Sequence, residues 1–131
     1  MMPWLSQRAE KCPDQPAIRW RGQTETYAEL ADEVSRRAEV LAEAGVDFRS
    51  RVGLLADNSL EYLRALHAVL WLGGTAVPFN PKLADGQLEA QLGEIEPDVL
   101  LVGAGGSSPS GDVEAVTLEE FADRSDRLDE G

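Results

Sequence analysis

The chain has 131 residues and a mass of 14.2 kDa, enough for one domain with a real core and too little for a large multidomain enzyme. It carries 24 acidic against 12 basic residues, a formal net charge of −12. That balance argues against nucleic acid and against an anionic membrane surface, both of which need clustered Lys and Arg. Hydrophobic residues make up 43% of the chain, which excludes wholesale disorder.

Pro3 to Lys11 predicts a short amphipathic helix with Trp4, Leu5 and Ala9 on one side, ended by Cys12-Pro13-Asp14. Ala17 to Trp20 alternates as a half-buried strand does, Arg21-Gly22-Gln23 reads as a tight turn, and Thr24-Glu25 as a returning strand. Thr26 with Glu29 forms a capping box that opens a helix. Tyr27, Ala31, Val34, Ala38 and Leu41 make its apolar stripe, and Gly45 is its left-handed stop. Asp32, Glu33, Arg36, Arg37 and Glu43 read as its solvated face.

Val52 to Ala56 is apolar without alternation, the pattern of a strand buried on both faces and usually parallel. Asn58 with Glu61 predicts a second capping box. The helix that follows, Ser59 to Leu72, is apolar nearly all round and predicts a central packed element. Gly73-Gly74 stops it. Thr75 to Phe79 is a short strand in which Pro78 removes a backbone donor, so it lies at an edge or ends early. Residues 84–95 predict a helix with Leu88, Leu92 and Ile95 inward, broken by Pro97, and Asp98 to Val102 a further buried strand. After a Gly/Ser loop from Gly103 to Gly111, Val113 to Val116 reads as a small strand and Leu118 to Arg124 as a short helix. The fold class is therefore α/β, a three-layer βαβαβ unit on a parallel sheet with right-handed connections.

The charge is uneven. Residues 1–93 hold 13 acids and 10 bases, whereas residues 94–131 hold 11 acids and 2 bases. The expected organisation is an α/β portion over 1–124 and an acidic, disordered tail over 125–131. Lysine occurs only at 11 and 82 while arginine occurs ten times, a pattern that would suit a high-salt cytoplasm or follow from a GC-rich genome.

Cys12 has no partner for a disulfide, and His67 has no companion for a zinc site. The longest apolar stretch, Leu60 to Val77, is interrupted by Glu61, Arg64 and His67 and is no membrane span. The N-terminus lacks the pattern of a secretory signal, so the expected setting is a reduced cytoplasm.

Little in the chain carries chemistry. The loop Gly103-Ala104-Gly105-Gly106-Ser107-Ser108-Pro109-Ser110-Gly111 follows a strand, where phosphate loops sit. It lacks the Gly-Lys-Ser/Thr ending of a Walker loop, meets Asp112 instead, and has no glycine at the sixth position of a dinucleotide loop. It reads as a plain loop, and a small stand-alone nucleotide binder would rest on it alone. Asp57-Asn58-Ser59 lies at a strand's C-terminal end, where ligands bind in open sheets, but simple N-capping of the helix is the better supported reading. His67 reads as a packed histidine, with Glu61 almost two turns away. Trp4, Trp20 and Trp71 read as core or interface aromatics. No residue is assigned as catalytic, cofactor-binding or metal-binding.

Three segments in register are more specific. Thr26-Tyr27-Ala28-Glu29-Leu30 resembles the first core motif of the adenylate-forming superfamily of acyl-CoA synthetases, adenylation domains and luciferases. Leu70 to Pro81 resembles the second, and Arg51 to Ser59 resembles the strand–helix entry between them. The likeness covers residues 1 to about 122 and implies the N-terminal subdomain of an acyl-CoA synthetase-like fold. The ending Asn80-Pro81-Lys82-Leu83 leans toward acid–CoA ligases, including the o-succinylbenzoate–CoA ligase type of menaquinone synthesis.

The resemblance implies a parent enzyme that uses ATP, Mg²⁺ and CoA to make an acyl adenylate and then a thioester. It also implies a downstream phosphate loop, a ribose-binding aspartate, a hinge and a catalytic lysine. Lys82 is the last lysine here, so neither lysine role can be filled. The expectation is an N-terminal piece that is not catalytic alone and whose partner is the downstream catalytic portion. The alternative is a non-catalytic module that docks a separate chain or self-associates through exposed apolar surface.

Overall fold

A computed structural model describes residues 4–57, 59–103 and 114–128. The elements run α1 (Trp4–Lys11), β1 (Pro16–Trp20), β2 (Gln23–Thr26), α2 (Tyr27–Glu43), β3 (Arg51–Leu55) and α3 (Leu60–Trp71), then β4 (Thr75–Phe79), α4 (Asp85–Ile95), β5 (Val99–Val102), β6 (Glu114–Thr117) and α5 (Leu118–Arg127). β1 and β2 form an antiparallel hairpin of their own, and the other four strands form a parallel sheet in the order β4-β3-β5-β6.

The hairpin turns through two residues, Arg21 (φ 49°) and Gly22 (φ 81°), which matches the right-handed twist of its strands. Gln23, read as part of the turn, begins β2. α2 starts as its sequence predicts: the Glu29 N–H donates to Thr26 Oγ1 at 3.2 Å, and the Thr26 N–H donates to Glu29 Oε1 at 3.0 Å. It ends in a Schellman motif, with Gly45 at φ 96°, the Gly45 N–H on Ala42 O and the Val46 N–H on Leu41 O, both at 3.0 Å.

Strand alternation fills two cores. Val52, Leu54, Val99 and Leu101 point to one face of the sheet, with Ala65, Ala68 and Val69 of α3, Leu30, Val34, Ala38 and Leu41 of α2, and Phe121 of α5. Leu55, Phe79, Leu100 and Val102 point to the other, with Leu88 and Leu92 of α4. The connections account for this. The chain steps from β3 to β4 through α3, then crosses back to β5 through α4, and right-handed crossovers in opposite directions leave their helices on opposite faces. The result is the three-layer βαβαβ unit expected. β4 pairs only with β3 among the described residues, so the Pro78 strand lies at an edge.

At the strands' N-terminal end, the Arg51 N–H donates to Asp98 Oδ2 and the Asp98 N–H to Arg51 O, both at 2.8 Å, which fixes the register of β3 on β5.

Three expectations change. α3 is not enclosed: its small residues Ala65, Ala68 and Val69 are buried, whereas Leu70 is 51% exposed. Small side chains let this face lie close to the sheet and α2, while Tyr62, Leu66, Trp71 and Leu72 pack against the same core partly buried. Its N-cap is Ser59, whose Oγ accepts the Tyr62 N–H at 3.0 Å; Glu61 turns away to pair with arginines, and Asn58 lies outside the described residues. Lastly, α5 runs to Arg127, past the boundary expected at 124. Ser125 is buried and satisfies its hydroxyl on Phe121 O at 2.9 Å, so a polar residue continues the inward face. The expected tail at 129–131 and most of the Gly/Ser loop (104–111) lie outside the described residues.

Gly53 sits between the second core's largest side chains. A Cβ there would lie 2.7 Å from Leu100 Cδ1 and 2.8 Å from Phe79 Cε2. Gly53→Ala is expected to lower stability by about 1–3 kcal/mol through overpacking, read as a reduced urea midpoint at unchanged slope; an unchanged midpoint would contradict this packing.

Candidate functional site

The C-terminal edge of the parallel sheet is where an open α/β fold places a ligand, because α3 leaves β3 toward one face and α4 follows β4 on the other. The described residues at this edge form local structure. Ser59 caps α3, and the Lys82 N–H donates to Asn80 Oδ1 at 2.9 Å in a turn after β4. The Gly103 N–H donates to Leu55 O at 3.0 Å, and a Cβ at Gly103 would lie 2.6 Å from Leu118 Cδ1. Lys82 is exposed there and is the one ammonium that the described residues of the edge offer. The motif at Thr26–Leu30 opens a helix, and Leu70–Pro81 turns the chain from α3 into β4; both shape the scaffold.

An open pocket of about 350 Å³ lies between the hairpin, α2 and α3. Glu25, Glu29, Asp32, Glu33 and Arg64 supply its charges beside Trp20 and Leu60. Hydrogen bonds from Thr26, first its backbone N–H and then its hydroxyl, hold the Glu29 carboxyl below the usual range, so it stays ionised. The one guanidinium of the lining, Arg64, is held by Glu25, so the lining offers no unpaired cation to a polyphosphate. A second open space of about 420 Å³, near Arg124 and Arg127, lies at the C-terminal ends of α2 and α5. Helix C-termini present carbonyl oxygens, which disfavour an anion.

Behind the first pocket lies the constellation that sequence reading missed. Arg37, read as part of a solvated face, is 1% exposed. Its Nε donates to Glu61 Oε2 at 2.5 Å and its Nη2 to Glu61 Oε1 at 2.7 Å, a two-pronged pair across 24 residues. Its Nη1 donates to Glu33 Oε2 at 2.6 Å. Burial alone would lower the guanidinium pKa, but the hydrogen bonds and charges of Glu61 and Glu33 outweigh it and raise the value. The chain of charges extends through Arg64, whose Nη2 reaches Glu25 at 3.0 Å and whose Nη1 lies 3.7 Å from Glu61. It also extends through Arg36 to Glu33 and Asp32. The network joins β2, α2 and α3. The signal was present: position 37 falls three and seven residues from Val34 and Leu30, on the inward stripe.

His67 is a packed residue, as expected. Its ring stacks on Trp4 at 6.5 Å between centroids, and burial pulls its pKa below the ordinary value. Cys12 is half-buried and unbonded. Among the described residues no group of three or more His, Cys, Asp or Glu is placed to hold a metal ion. No described helix is long and apolar enough to cross a membrane.

The sequence profile of the family described as AMP-binding enzyme matches residues 5–130. The chain belongs to that family. This adenylate-forming family member is 33% identical over 93 residues to 2-succinylbenzoate–CoA ligase of Bacillus cereus, covering 71% of this chain and 19% of the ligase. It is 36% identical over 97 residues to bacitracin synthase 2 of Bacillus licheniformis, covering 74% of this chain and 4% of the synthase. In structure it is similar to o-succinylbenzoate coenzyme A synthetase of Bacillus subtilis in complex with AMP, with a TM-score of 0.87 and 30% identity over 94% of this chain and 33% of that one. The fold is thus that of an N-terminal portion of an adenylate-forming enzyme. The chain spans about a third of the solved relative's length.

Removing one partner from a buried ion pair costs about 3–5 kcal/mol because the other charge is stranded. Glu61→Leu leaves Arg37 buried with Glu33 alone and is expected to cost about 3 kcal/mol, the low end of that range. Arg37→Met leaves carboxylates that reach water and is expected to cost less, about 1–2 kcal/mol. Urea unfolding of both variants checks the order; equal or reversed losses would show that the buried cation does not control this contact.

Proposed function

We propose that this chain is the N-terminal scaffold of an ATP-dependent carboxylic acid–CoA ligase and does not adenylate a substrate by itself. The observation that carries the reading is the distribution of charge. The chain has two lysines, and the charged pocket at the hairpin is lined by four carboxylates and one guanidinium. In the reaction of the whole enzyme a carboxylate oxygen attacks the α-phosphorus of ATP, and pyrophosphate leaves with the electrons of the broken P–O bond. A thiolate then attacks the acyl carbon, and AMP leaves. Both steps build negative charge that needs cations and backbone donors around the phosphates. This chain's own residues do something else: they cap, pair and pack the parallel sheet on which such a site would be built.

The acid–CoA ligase assignment rests on Asn80-Pro81-Lys82-Leu83 and on the likeness to the two succinylbenzoate ligases. The 36% identity to bacitracin synthase 2 favours a second reading, an adenylation portion of a peptide synthetase. The two differ in the thiol that accepts the acyl group, CoA in the first and a carrier-bound thiol in the second.

Pyrophosphate release is the test. The purified 131-residue chain with ATP, Mg²⁺ and a panel of carboxylic acids, succinylbenzoate included, is expected to give no turnover above the buffer rate. Sustained, acid-dependent release by the chain alone would overturn the scaffold reading.

A further inference from the structure

The buried network changes where the chain's charge lies. Arg36, Arg37 and Arg64 are drawn inward against Glu25, Glu33 and Glu61, three cations against three anions. The whole net charge of −12 therefore falls on the rest of the chain. It is not spread evenly there. Residues 83–123 hold ten acids and neither lysine nor arginine. On α5, Glu119 and Asp123 are both exposed and four residues apart, and on α2 Glu39 and Glu43 repeat the spacing. Acids so placed are surface neighbours, about 5–6 Å apart at Cβ, and repel. The helix ends add to this. α2 and α4 have no base in their last turns; α2 ends on Glu43, and α4 ends through Glu94 with Glu96 as its left-handed cap at φ 49°. Helix C-termini favour cations, so each of these carboxylates opposes the helix that bears it. Arg51 of β3 answers part of this at α4, donating to Ile95 O at 2.8 Å.

We propose that the working medium of this fold is concentrated monovalent salt, which screens the surface acids and leaves the buried network in force. Distance decides between ordinary and concentrated salt. The screening length is about 8 Å at physiological ionic strength and about 3 Å at 1 M. Neighbouring acids at about 5–6 Å lie inside the first length and outside the second. Their repulsion persists in ordinary salt and fades in molar salt. The network resists the same screening, because its contacts, such as Arg37 Nη2 to Glu61 Oε1 at 2.7 Å, are short and Arg37 is shut off from water. Salt thus removes the repulsion and spares the attraction. A base-composition bias is the competing explanation for an arginine-rich, lysine-poor chain. Such a bias exchanges one cation for the other and leaves the balance of charge alone. It does not account for 41 residues with neither cation, or for acids at helix C-termini. A salt-dependent fold is independent of whether the chain adenylates a substrate, so the two readings fail separately.

Thermal unfolding of the full chain in KCl, followed by helical circular dichroism, is the test. The midpoint is expected to rise by about 5–10 °C between about 0.15 M and about 1 M KCl. Two variants at exposed positions show whether surface charge is the cause. Glu94→Lys combined with Glu96→Lys brings the net charge to −8, since each exchange adds two positive charges. Repulsion grows roughly with the square of net charge, so this variant is expected to show about half the parent's rise. Lys82→Glu takes the charge to −14 and is expected to enlarge the rise by about a third. A parent midpoint that stays flat across this range would overturn the proposal. So would an equal rise in all three chains, which would make it a general effect of salt on burial and not one of charge.

Discussion

Arg37 places a full positive charge where α2 crosses α3, with 1% of its surface exposed. Such a charge is tolerated only when opposite charge and hydrogen bonds surround it. Glu33 supplies them from the preceding turn of α2, and Glu61 grips the guanidinium fork from α3. Because Glu61 meets two donors in one plane, sliding α3 along α2 would strand the cation. Arg64, one turn on, extends the same constraint to Glu25 of the hairpin. One buried guanidinium thus ties together elements separated by 24 residues or more, and the apolar stripe of α2 packs in the register this sets.

The parallel sheet depends on that arrangement from the other side. α3 can lie close to β3 because it turns Ala65, Ala68 and Val69 inward, with Tyr62, Leu66 and Trp71 partly buried against the same core and Leu70 exposed. The opposite face has room only for Gly53 between Leu100 and Phe79. Among the described residues both faces of β3 are therefore closely packed. At the C-terminal edge, the usual ligand position in such folds, the described residues form caps and turns.

Much of this was legible in the residues. Thr26 and Glu29 announced α2 because a capping box is a local device that needs no tertiary partner, and Gly45 and Pro78 spoke through backbone geometry alone. The unalternating runs at 52–56 and 98–102 gave a sheet buried on both sides. Three motifs in register pointed to the adenylate-forming family. What stayed hidden was long-range charge. Arg37 stands among Asp32, Glu33 and Arg36, and such a run reads as a wet surface until the helix is turned far enough to see that 30, 34, 37 and 41 share a face. Glu61 has the spacing of a capping glutamate, and only the structure shows it serving Arg37 instead. Ser125 was lost to the acidic tail because a buried serine that bonds its own helix carries no hydrophobic signal.

We propose that this chain carries the N-terminal architecture of an adenylate-forming enzyme and binds no nucleotide by itself. Isothermal titration of the purified full chain with Mg·ATP, at low ionic strength where phosphate contacts are strongest, tests it most directly. No saturable heat is the expected result. A one-to-one isotherm with ATP, abolished by Lys82→Ala, would contradict the account.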